Sequence, residues 1–269
     1  MVYTNISPDH LDRHGSMEEY INMKLNALMN MKQEGQIVYN KDDAILEKVL
    51  SPFPHKKQPF STKSKDVLYK VDNKNIIGPS DDKLLNIDEL SIPGEHNLQN
   101  FLAASTCSHL MGISQNQIVK SMKEFKGVEH RLEYVRTINE ADYINDSKAT
   151  NIDSVIVAIK TYKQPIVLIL GGFNKGANFR LLLPHIKSSH VRDIVSYGDA
   201  GGQINTALGD AVRSVQVTNL SSAVKKAHSL AAPGDIVLLS PGCASYDEFE
   251  NFEARGVFFK SIVEELVKL

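Results

Sequence analysis

The sequence has 269 residues, of which 42% are hydrophobic and 23% charged, with a formal net charge of −2. A surface that binds nucleic acid along its length has a clustered excess of Lys and Arg, and this composition has no such excess. No apolar run approaches the roughly 20 residues that span a bilayer, and the first residues lack the basic and apolar regions of a signal peptide. Two cysteines, Cys107 and Cys243, do not make a disulfide framework, so we expect a cytoplasmic globular protein of about two domains.

The first part of the chain combines helices with short strands. The predicted elements are a helix at 16–33, a strand at 36–39, a polar, proline-bearing loop at 52–59, strands at 67–71, 75–77 and 83–92, and helices at 98–111 and 115–125. Between two of these strands, Asp72-Asn73-Lys74 resembles a hairpin turn. The β-rich section has no opening β-α-β unit, and we expect its three or four antiparallel strands to belong to a larger sheet.

A regular alternation of strand and helix begins near residue 127. The predicted strands are 166–170, 194–197, 212–217 and 236–239, and the predicted helices are 152–162, 177–186, 201–208, 221–231 and 248–267. Strands that are apolar along their whole length and separated by helices indicate a parallel sheet covered on both faces. We therefore predict an α/β protein with a doubly wound domain at 127–269, preceded by a domain at 1–126.

A loop rich in charged and imidazole side chains precedes the first helix. These side chains are Asp9, His10, Asp12, Arg13 and His14. Carboxylate oxygens and imidazole nitrogens can bind a divalent cation. The segment also has the pattern of a capping box, with Ser16 as the N-cap and Glu19 three residues on. The two interpretations are compatible.

Two asparagines stand near the start of the predicted helix at 98–111. Asn97 and Asn100 are three residues apart, so in a helix they share one face. Each amide offers both donors and acceptors, which suits the edge of a purine base. An Asn at a helix start is also commonly a cap, so both interpretations stay open.

Polar residues also cluster at the end of a strand in the second domain. Asn145-Asp146-Ser147-Lys148-Ala149-Thr150-Asn151 leads into a helix, and His130-Arg131 stands just after the domain boundary. Ligands of doubly wound sheets bind outside the carboxyl ends of the strands, and helix N-termini favour anions. A Lys at a helix start opposes the dipole and so suggests a partner anion, while Thr150 or Asn151 could simply be the N-cap.

Two further loops follow apolar strands. They are Gly171-Gly172-Phe173-Asn174-Lys175-Gly176 and Ser240-Pro241-Gly242-Cys243-Ala244-Ser245-Tyr246-Asp247-Glu248-Phe249. Their glycines allow the backbone to approach a ligand closely. Loops bearing Lys148, Lys175 and Ser245 would converge on one edge of the sheet, which suggests a small anionic ligand such as a dicarboxylate. Cys243 could be a nucleophile, but no His can be placed beside it, and we expect a packed small hydrophobe.

The six segments that carry these patterns resemble, in this order, the Mur ligases of peptidoglycan synthesis. The segments are 5–16, 96–100, 130–131, 145–151, 171–176 and 240–252. The pieces most specific to one member are Asp-Ser-Lys-Ala-Thr-Asn, Leu-Ile-Leu-Gly-Gly-x-x-Lys-Gly-Ala and Leu-Ser-Pro-x-Cys-Ala-Ser-x-Asp-x-Phe-x-Asn-Phe-Glu-x-Arg-Gly. The match covers essentially the whole chain, and these pieces point to the member that adds D-glutamate.

The resemblance implies a role for each matching residue. Lys24 matches a lysine that the family carbamylates to bind a metal ion, and His10 matches a histidine ligand of magnesium. The nucleotide-contacting positions are Asn97, Asn100, Arg131 and Asp146. The positions that hold D-glutamate are Lys148, Thr150, Lys175, Ser245, Tyr246 and Phe252. Lys24, His10 and Lys148 are the expected catalytic residues. Position 246 is typically leucine in the family, which favours a role of its backbone.

The implied reaction is an ATP- and Mg²⁺-dependent ligation. ATP phosphorylates the L-alanine carboxylate of UDP-N-acetylmuramoyl-L-alanine and leaves as ADP; the amine of D-glutamate then attacks the acyl phosphate, which forms the amide bond and releases inorganic phosphate. Cations spread the charge of the transferring phosphoryl group. The lysines bind the carboxylates of D-glutamate and so fix the position of its amine.

The chain also departs from the family. It contains no Walker A loop of the form G-x-x-x-x-G-K-[ST], whose backbone amides surround the phosphates of ATP. Family members carry that loop, and a domain that binds the UDP-sugar, in segments that would lie before Met1. We therefore expect residues 1–126 to be the later part of the central ATP-binding domain and 127–269 a complete Rossmann-like C-terminal domain. Two hypotheses follow: a ligase fragment that needs a missing N-terminal part, or a non-catalytic module that retains only ligand binding.

Overall fold

The computed structural model describes residues 1–6, 14–92 and 94–266. The chain divides into two compact units, Met1–Lys126 and Gly127–Leu269. None of the helices within the described ranges is long and apolar enough to cross a membrane.

The first unit begins with a small parallel sheet and its helices. Its elements are β1 (Val2–Tyr3), α1 (Met17–Met29), β2 (Gln36–Asn40), α2 (Ala44–Leu50) and β3 (Lys56–Phe60), with the strands in the order β1-β2-β3. Ser16 begins α1 as predicted, because its side chain accepts a hydrogen bond from the Glu19 N–H. Both faces of β2 are buried: Ile37 and Tyr39 pack in one cluster with residues of α1 and α2, and Val38 packs in another.

The second part of this unit is an antiparallel sheet followed by two helices. Its elements are β4 (Lys70–Asp72), β5 (Asn75–Ile77), β6 (Lys83–Asn86), α3 (Glu95–Leu110) and α4 (Gln115–Glu124). The predicted hairpin turn is confirmed, since β4 pairs antiparallel with β5. Asn73 and Lys74 both have positive φ, as a two-residue turn of this kind requires.

Three predictions for the first unit are wrong. The segment 52–59 is not only a loop, because Lys56–Phe60 forms β3 and pairs in parallel with β2 despite Pro59. The strand predicted at 83–92 ends at Asn86, where the side chain of Asn86 caps a short 3₁₀ helix by accepting from the Asp88 N–H. The antiparallel strands form a separate three-stranded sheet rather than part of a larger one.

The second unit is a doubly wound α/β domain. Its strands are β7 (Glu133–Ile138), β8 (Ala141–Asn145), β9 (Ile166–Gly171), β10 (Val191–Tyr197), β11 (Arg213–Gln216) and β12 (Ile236–Gly242). Its helices are α5 (Ile152–Thr161), α6 (Leu183–Lys187), α7 (Gly201–Leu208), α8 (Leu220–Leu230) and α9 (Phe252–Glu265). The strand order is β11-β10-β9-β12-β8-β7, and all neighbours are parallel except β7 and β8.

The core of this unit explains why its strands could be predicted. Every residue of β9 and β12 is buried, because helices cover both faces of the sheet. One face packs against α5, α6 and α7, and the other packs against α8 and α9. The predicted doubly wound α/β fold is confirmed.

The order of the strands creates a switch point between β9 and β12. The chain proceeds from β9 to β10 and β11 on one side, and then returns to β12 on the other. In open α/β sheets, ligands bind at the carboxyl ends of the strands beside such a point.

The predicted helix at 248–267 begins later than expected, at Phe252, because the Asn251 side chain caps it.

Candidate functional site

The loop after β8 contains both buried polar residues and an exposed lysine. Asn145, Asp146 and Ser147 are buried, whereas Lys148 is exposed. Asn151 is the N-cap of α5, since its side chain accepts from the Ser154 N–H at 2.9 Å. Thr150 is therefore not the N-cap, and the loop presents Lys148 at the carboxyl edge of the sheet.

Asp146 is a buried carboxylic acid with two internal hydrogen bonds. Ser240, on β12, donates its hydroxyl to Oδ2 at 2.8 Å, and the Leu132 N–H donates to Oδ1 at 3.2 Å. Burial raises the pKa of Asp146 to about 7, although both hydrogen bonds and the charge of Arg131 favour the ionised form. This side chain therefore joins the loop after β8 to β12 and to the segment at Leu132.

Arg131 lies on a turn with an unusual backbone. Its neighbours His130 and Leu132 have φ values of +64° and +46°, a region that non-glycine residues rarely adopt. The His130 N–H donates to Oε2 of Glu133 at 2.9 Å, and the Asn145 amide donates to the same oxygen at 3.0 Å. These bonds hold the turn and leave the Arg131 side chain exposed.

The His130 ring is packed between the loop after β8 and helix α9. It is buried, its Nδ1 lies 3.0 Å from the Asn145 amide nitrogen, and its ring meets that of Phe252 edge-on at 6.4 Å. A Cβ atom on Gly256 would lie only 2.2 Å from His130 Nδ1. Glycine at position 256 therefore lets the ring fit against the helix.

The loop after β9 approaches neighbouring backbone very closely. Gly172 has a φ of +121°, and a Cβ atom there would lie 2.3 Å from the Ala244 carbonyl oxygen. Phe173 and Ala244 exchange two backbone hydrogen bonds, of 2.9 and 3.0 Å, that join this loop to the one after β12. Lys175 follows at an exposed position of the same loop.

The loop after β12 carries a buried serine beside an exposed aromatic residue. Ser245 is 2% exposed, and its hydroxyl makes no hydrogen bond within the described part of the chain, whereas Tyr246 is 68% exposed. The side chains of the next two residues accept hydrogen bonds from other segments: Asp247 accepts from the Asp199 N–H, and Glu248 accepts from the N–H of Leu220, the first residue of α8. The packed small hydrophobe predicted at Cys243 is confirmed, since Cys243 is buried in the core and burial raises its pKa to about 12.

Lys148 has an aromatic partner at the start of α9. Its ammonium nitrogen lies 4.7 Å from the centre of the Phe252 ring. At this distance the ring face attracts the cation. The contact links two residues that sequence resemblance assigned to one ligand, although they are far apart in the chain.

Arg255 is a site residue that the sequence analysis did not single out. It is the largest fully buried side chain of the described residues, and its guanidinium donates to the hydroxyl and carbonyl of Ser147 at 2.9 and 2.8 Å. It also donates to the carbonyls of Cys243 and Ala244, both at 3.1 Å. The signal in the sequence was the motif piece Asn-Phe-Glu-x-Arg-Gly, in which Arg255 is the arginine.

The candidate residues of the first unit that the structure describes lie on two helices. Lys24 is exposed on α1, with its ammonium nitrogen 5.2 Å from the centre of the Tyr20 ring. Asn97 and Asn100 lie one turn apart on α3, whose N-cap is Gly94. Asn100 is exposed.

The predicted magnesium site cannot be placed in full, because His10 lies in the segment 7–13, outside the described residues. Within residues 1–6, 14–92 and 94–266, no three or more His, Cys, Asp or Glu side chains come together in a way that could hold a metal ion. The metal-binding roles of His10 and Lys24 stay predictions.

Polar loops at the switch point of a doubly wound sheet are typical of α/β proteins that bind a ligand at that position. Two family models match the chain in order: the Mur ligase middle domain matches residues 1–108, and the Mur ligase glutamate ligase domain matches residues 130–243. The chain belongs to the Mur ligase family.

Relatives with the same printed name resemble the chain over nearly its whole length. A UDP-N-acetylmuramoylalanine--D-glutamate ligase of Clostridioides difficile (strain 630) is 42% identical over 97% of this chain, and one of Lactobacillus johnsonii is 39% identical over 98%. The matched regions make up 59% and 57% of those proteins. The chain thus spans somewhat more than half the length of these relatives.

Solved structures share the fold at low sequence identity. MurF from Acinetobacter baumannii has a TM-score of 0.73 and 16% identity, with all of this chain and 60% of that one covered. MurF from Thermotoga maritima, in complex with ADP, has a TM-score of 0.69 and 15% identity, with coverage of 98% and 62%. At this identity the likeness shows the fold alone.

Proposed function

We propose that residues 127–269 bind D-glutamate, as the acceptor amino acid of an ATP-dependent ligation to UDP-N-acetylmuramoyl-L-alanine. One observation carries the proposal: the loops that bear Lys148, Lys175 and Ser245 follow β8, β9 and β12, which are adjacent in the sheet and end at its switch point. The relatives that are about 40% identical to this chain carry the name of that ligase.

The chemistry of these residues suits a dicarboxylate. Lys148 and Lys175 supply two exposed positive charges for the two carboxylates of D-glutamate. The Ser245 hydroxyl has no partner in the described residues, so it can donate to a carboxylate oxygen without breaking an internal bond. Thr150 offers a second hydroxyl at the rim. Fixing both carboxylates fixes the amine, which is the nucleophile of the reaction.

The remaining candidates extend this proposal. Tyr246 and Phe252 are proposed to contact the carbon chain of D-glutamate, with Phe252 also holding the Lys148 ammonium. We propose that Arg131 and Asp146 contact the nucleotide. The same role is proposed for Asn97 and Asn100 on α3. A requirement for Mg²⁺ and a cytoplasmic location belong to the same proposal.

The 269 residues alone are proposed not to turn over ATP. They contain no G-x-x-x-x-G-K-[ST] sequence, and so they offer no loop of backbone amides for the β- and γ-phosphates. Binding of D-glutamate does not depend on that loop. The acceptor site and the phosphate site are therefore testable apart from each other.

The first experiment is calorimetric titration of the purified chain with D-glutamate. We expect binding of D-glutamate in preference to L-glutamate, and we expect Lys148→Met and Lys175→Met each to weaken it about tenfold or more, because each removes a charged hydrogen-bond donor. The matched control is Lys163→Met, an exposed lysine at the amino end of β9. Equal losses in all three variants, or no D-glutamate binding by the folded chain, would contradict the proposal.

A second experiment measures phosphate release with ATP, Mg²⁺, UDP-N-acetylmuramoyl-L-alanine and D-glutamate, beside a full-length relative as positive control. We expect D-glutamate-dependent release from the relative and none from the 269 residues. Turnover by this chain would show that it is an active ligase without a Walker A loop. Binding without turnover would leave a module that retains the acceptor site.

A further inference from the structure

The guanidinium of Arg255 is a buried charge with neutral partners. Its side chain is fully buried, and its hydrogen bonds end on one hydroxyl and three carbonyl oxygens of Ser147, Cys243 and Ala244. No carboxylate among the described residues forms an ion pair with it. Buried arginines are normally paired with acids, since an isolated charge is costly to remove from water.

The nearby acids are engaged elsewhere. Asp247 accepts from the Asp199 N–H at 3.3 Å, and both oxygens of Glu248 lie 3.2 Å from the Leu220 nitrogen. The Arg255 charge acts on this region at a distance, because it lowers the pKa of Glu248 against the larger effect of burial, which raises it. A positive charge without a bonded counter-ion thus lies behind the strand-end loops.

The same side chain fastens three segments that carry proposed ligand-binding residues. Ser147 immediately precedes Lys148, and Ala244 immediately precedes Ser245. The Ser147 hydroxyl, which accepts from Arg255 Nε, donates in turn to the Phe252 carbonyl at 2.7 Å. The loop after β9 packs closely against the Arg255 guanidinium, since a Cβ atom on Gly172 would lie 3.1 Å from Arg255 Nη1.

We infer that Arg255 is a positioning residue of the acceptor site: it holds the loops after β8 and β12 in their ligand-binding arrangement, and its uncompensated charge favours a ligand with two carboxylates. The inference deepens the proposed function and rests on it for the identity of the ligand. Arg255 itself is fully buried and acts through Ser147, Cys243 and Ala244.

The first test needs no ligand. Amide hydrogen exchange is measured for the Phe173 and Ala244 N–H groups, which bond to each other's carbonyls across the two loops, and for the Val217 N–H, which bonds to Ser196 elsewhere in the unit. We expect Arg255→Met to speed exchange at Phe173 and Ala244 at least tenfold more than at Val217. Equal acceleration at all three sites would show a purely global effect and would overturn the inference.

The second test separates charge from packing. Affinities for D-glutamate and D-glutamine, which differ by one carboxylate, are measured for Arg255→Met and for Arg255→Lys, which keeps the charge. We expect Arg255→Met to weaken D-glutamate binding at least tenfold and to reduce the preference for D-glutamate over D-glutamine, and Arg255→Lys to restore that preference. The control is Arg136→Met, which removes an exposed arginine from β7.

The outcomes distinguish this inference from the proposed function. If the unaltered chain does not bind D-glutamate, the proposed function fails, and the exchange data alone decide whether Arg255 holds the loops. If the chain binds D-glutamate and a folded Arg255→Met variant binds it within twofold as well, the inference fails and the proposed function stands. Should Arg255→Met not fold, Ser147→Ala removes only the hydroxyl between Arg255 and Phe252, and unchanged exchange at Ala244 in that variant would overturn the inference.

Discussion

Ser240 donates its hydroxyl to Oδ2 of Asp146 at 2.8 Å, which joins the end of β12 to the end of β8. Burial raises the pKa of this carboxyl to about 7 from an ordinary value of 3.8, and the hydrogen bonds from Ser240 and Leu132 only partly offset that effect. The folded protein therefore holds a proton on Asp146 over a pH range in which the unfolded chain has lost it.

The first prediction follows from the sign of this shift. Because the pKa is higher in the folded state, Asp146 contributes stability below about pH 4, and this contribution is lost as the pH rises through about 7. Each pKa unit corresponds to about 1.4 kcal/mol, so the loss is at most about 4 kcal/mol. We expect the free energy of unfolding, measured by urea denaturation, to fall between pH 4 and pH 7 from this source.

The matched variant is Asp146→Asn, which cannot ionise. Its free energy of unfolding is expected to fall less steeply between pH 4 and pH 7 than that of the unaltered chain. Parallel pH curves for the two proteins would show that Asp146 does not carry the effect.

The contact between Lys148 and Phe252 gives a second prediction. Replacing Phe252 with Leu keeps an apolar side chain but removes the ring face 4.7 Å from the ammonium. An exposed cation–π contact contributes about 0.5–1 kcal/mol, so D-glutamate affinity should fall about two- to fivefold in calorimetric titration. Phe258→Leu, at an exposed position of the same helix, is the control, and an equal loss in both variants would refute the role of the ring.

The central strands β9, β10 and β12 of the second unit were predictable because their environment is uniform. A strand such as β9 is buried on both faces, so all its residues are apolar and periodicity is not needed to find it. Strands β7 and β8 were missed, although the end of β8 was recognised from its polar loop. Strand β7 lies at the edge, where its residues are half-buried or exposed and the apolar signal disappears.

The candidate site was predictable only where side chains are exposed and chemically distinctive. Lys148 and Lys175 stand out beside glycines and small polar residues at strand ends. Arg255 did not stand out in the same way, because its hydrogen bonds end on carbonyl groups of residues 11 to 108 positions away in the chain. Such contacts exist only once β8, β12 and α9 have been assembled.

Close packing of Gly256 against His130 gives a third prediction. A methyl group at position 256 would lie 2.2 Å from His130 Nδ1, and the ring is buried and cannot move away freely. We expect Gly256→Ala to lower the free energy of unfolding by about 1–3 kcal/mol in urea denaturation.

Gly202→Ala is the matched control, since a Cβ atom there meets only the Gln216 side chain at 3.8 Å and the residue lies in helix α7. Alanine is the better helix former by up to about 1 kcal/mol, so this variant should be as stable as the unaltered chain or more so. A stable Gly256→Ala variant would show that the His130 ring can rearrange at little cost.

The absence of tryptophan from the sequence makes the fourth prediction possible. Phe173 is 43% exposed, lies two residues before Lys175 and bonds through its backbone to Ala244, so Phe173→Trp places a single fluorophore at the rim of the proposed site. D-glutamate should shift its emission and reduce its quenching by acrylamide, because the ligand would cover the indole. Phe258→Trp, at a position that is 39% exposed on α9, should not respond. Equal responses from both reporters would place the ligand elsewhere or indicate a change throughout the unit, since only the first reporter is on a loop that follows β9.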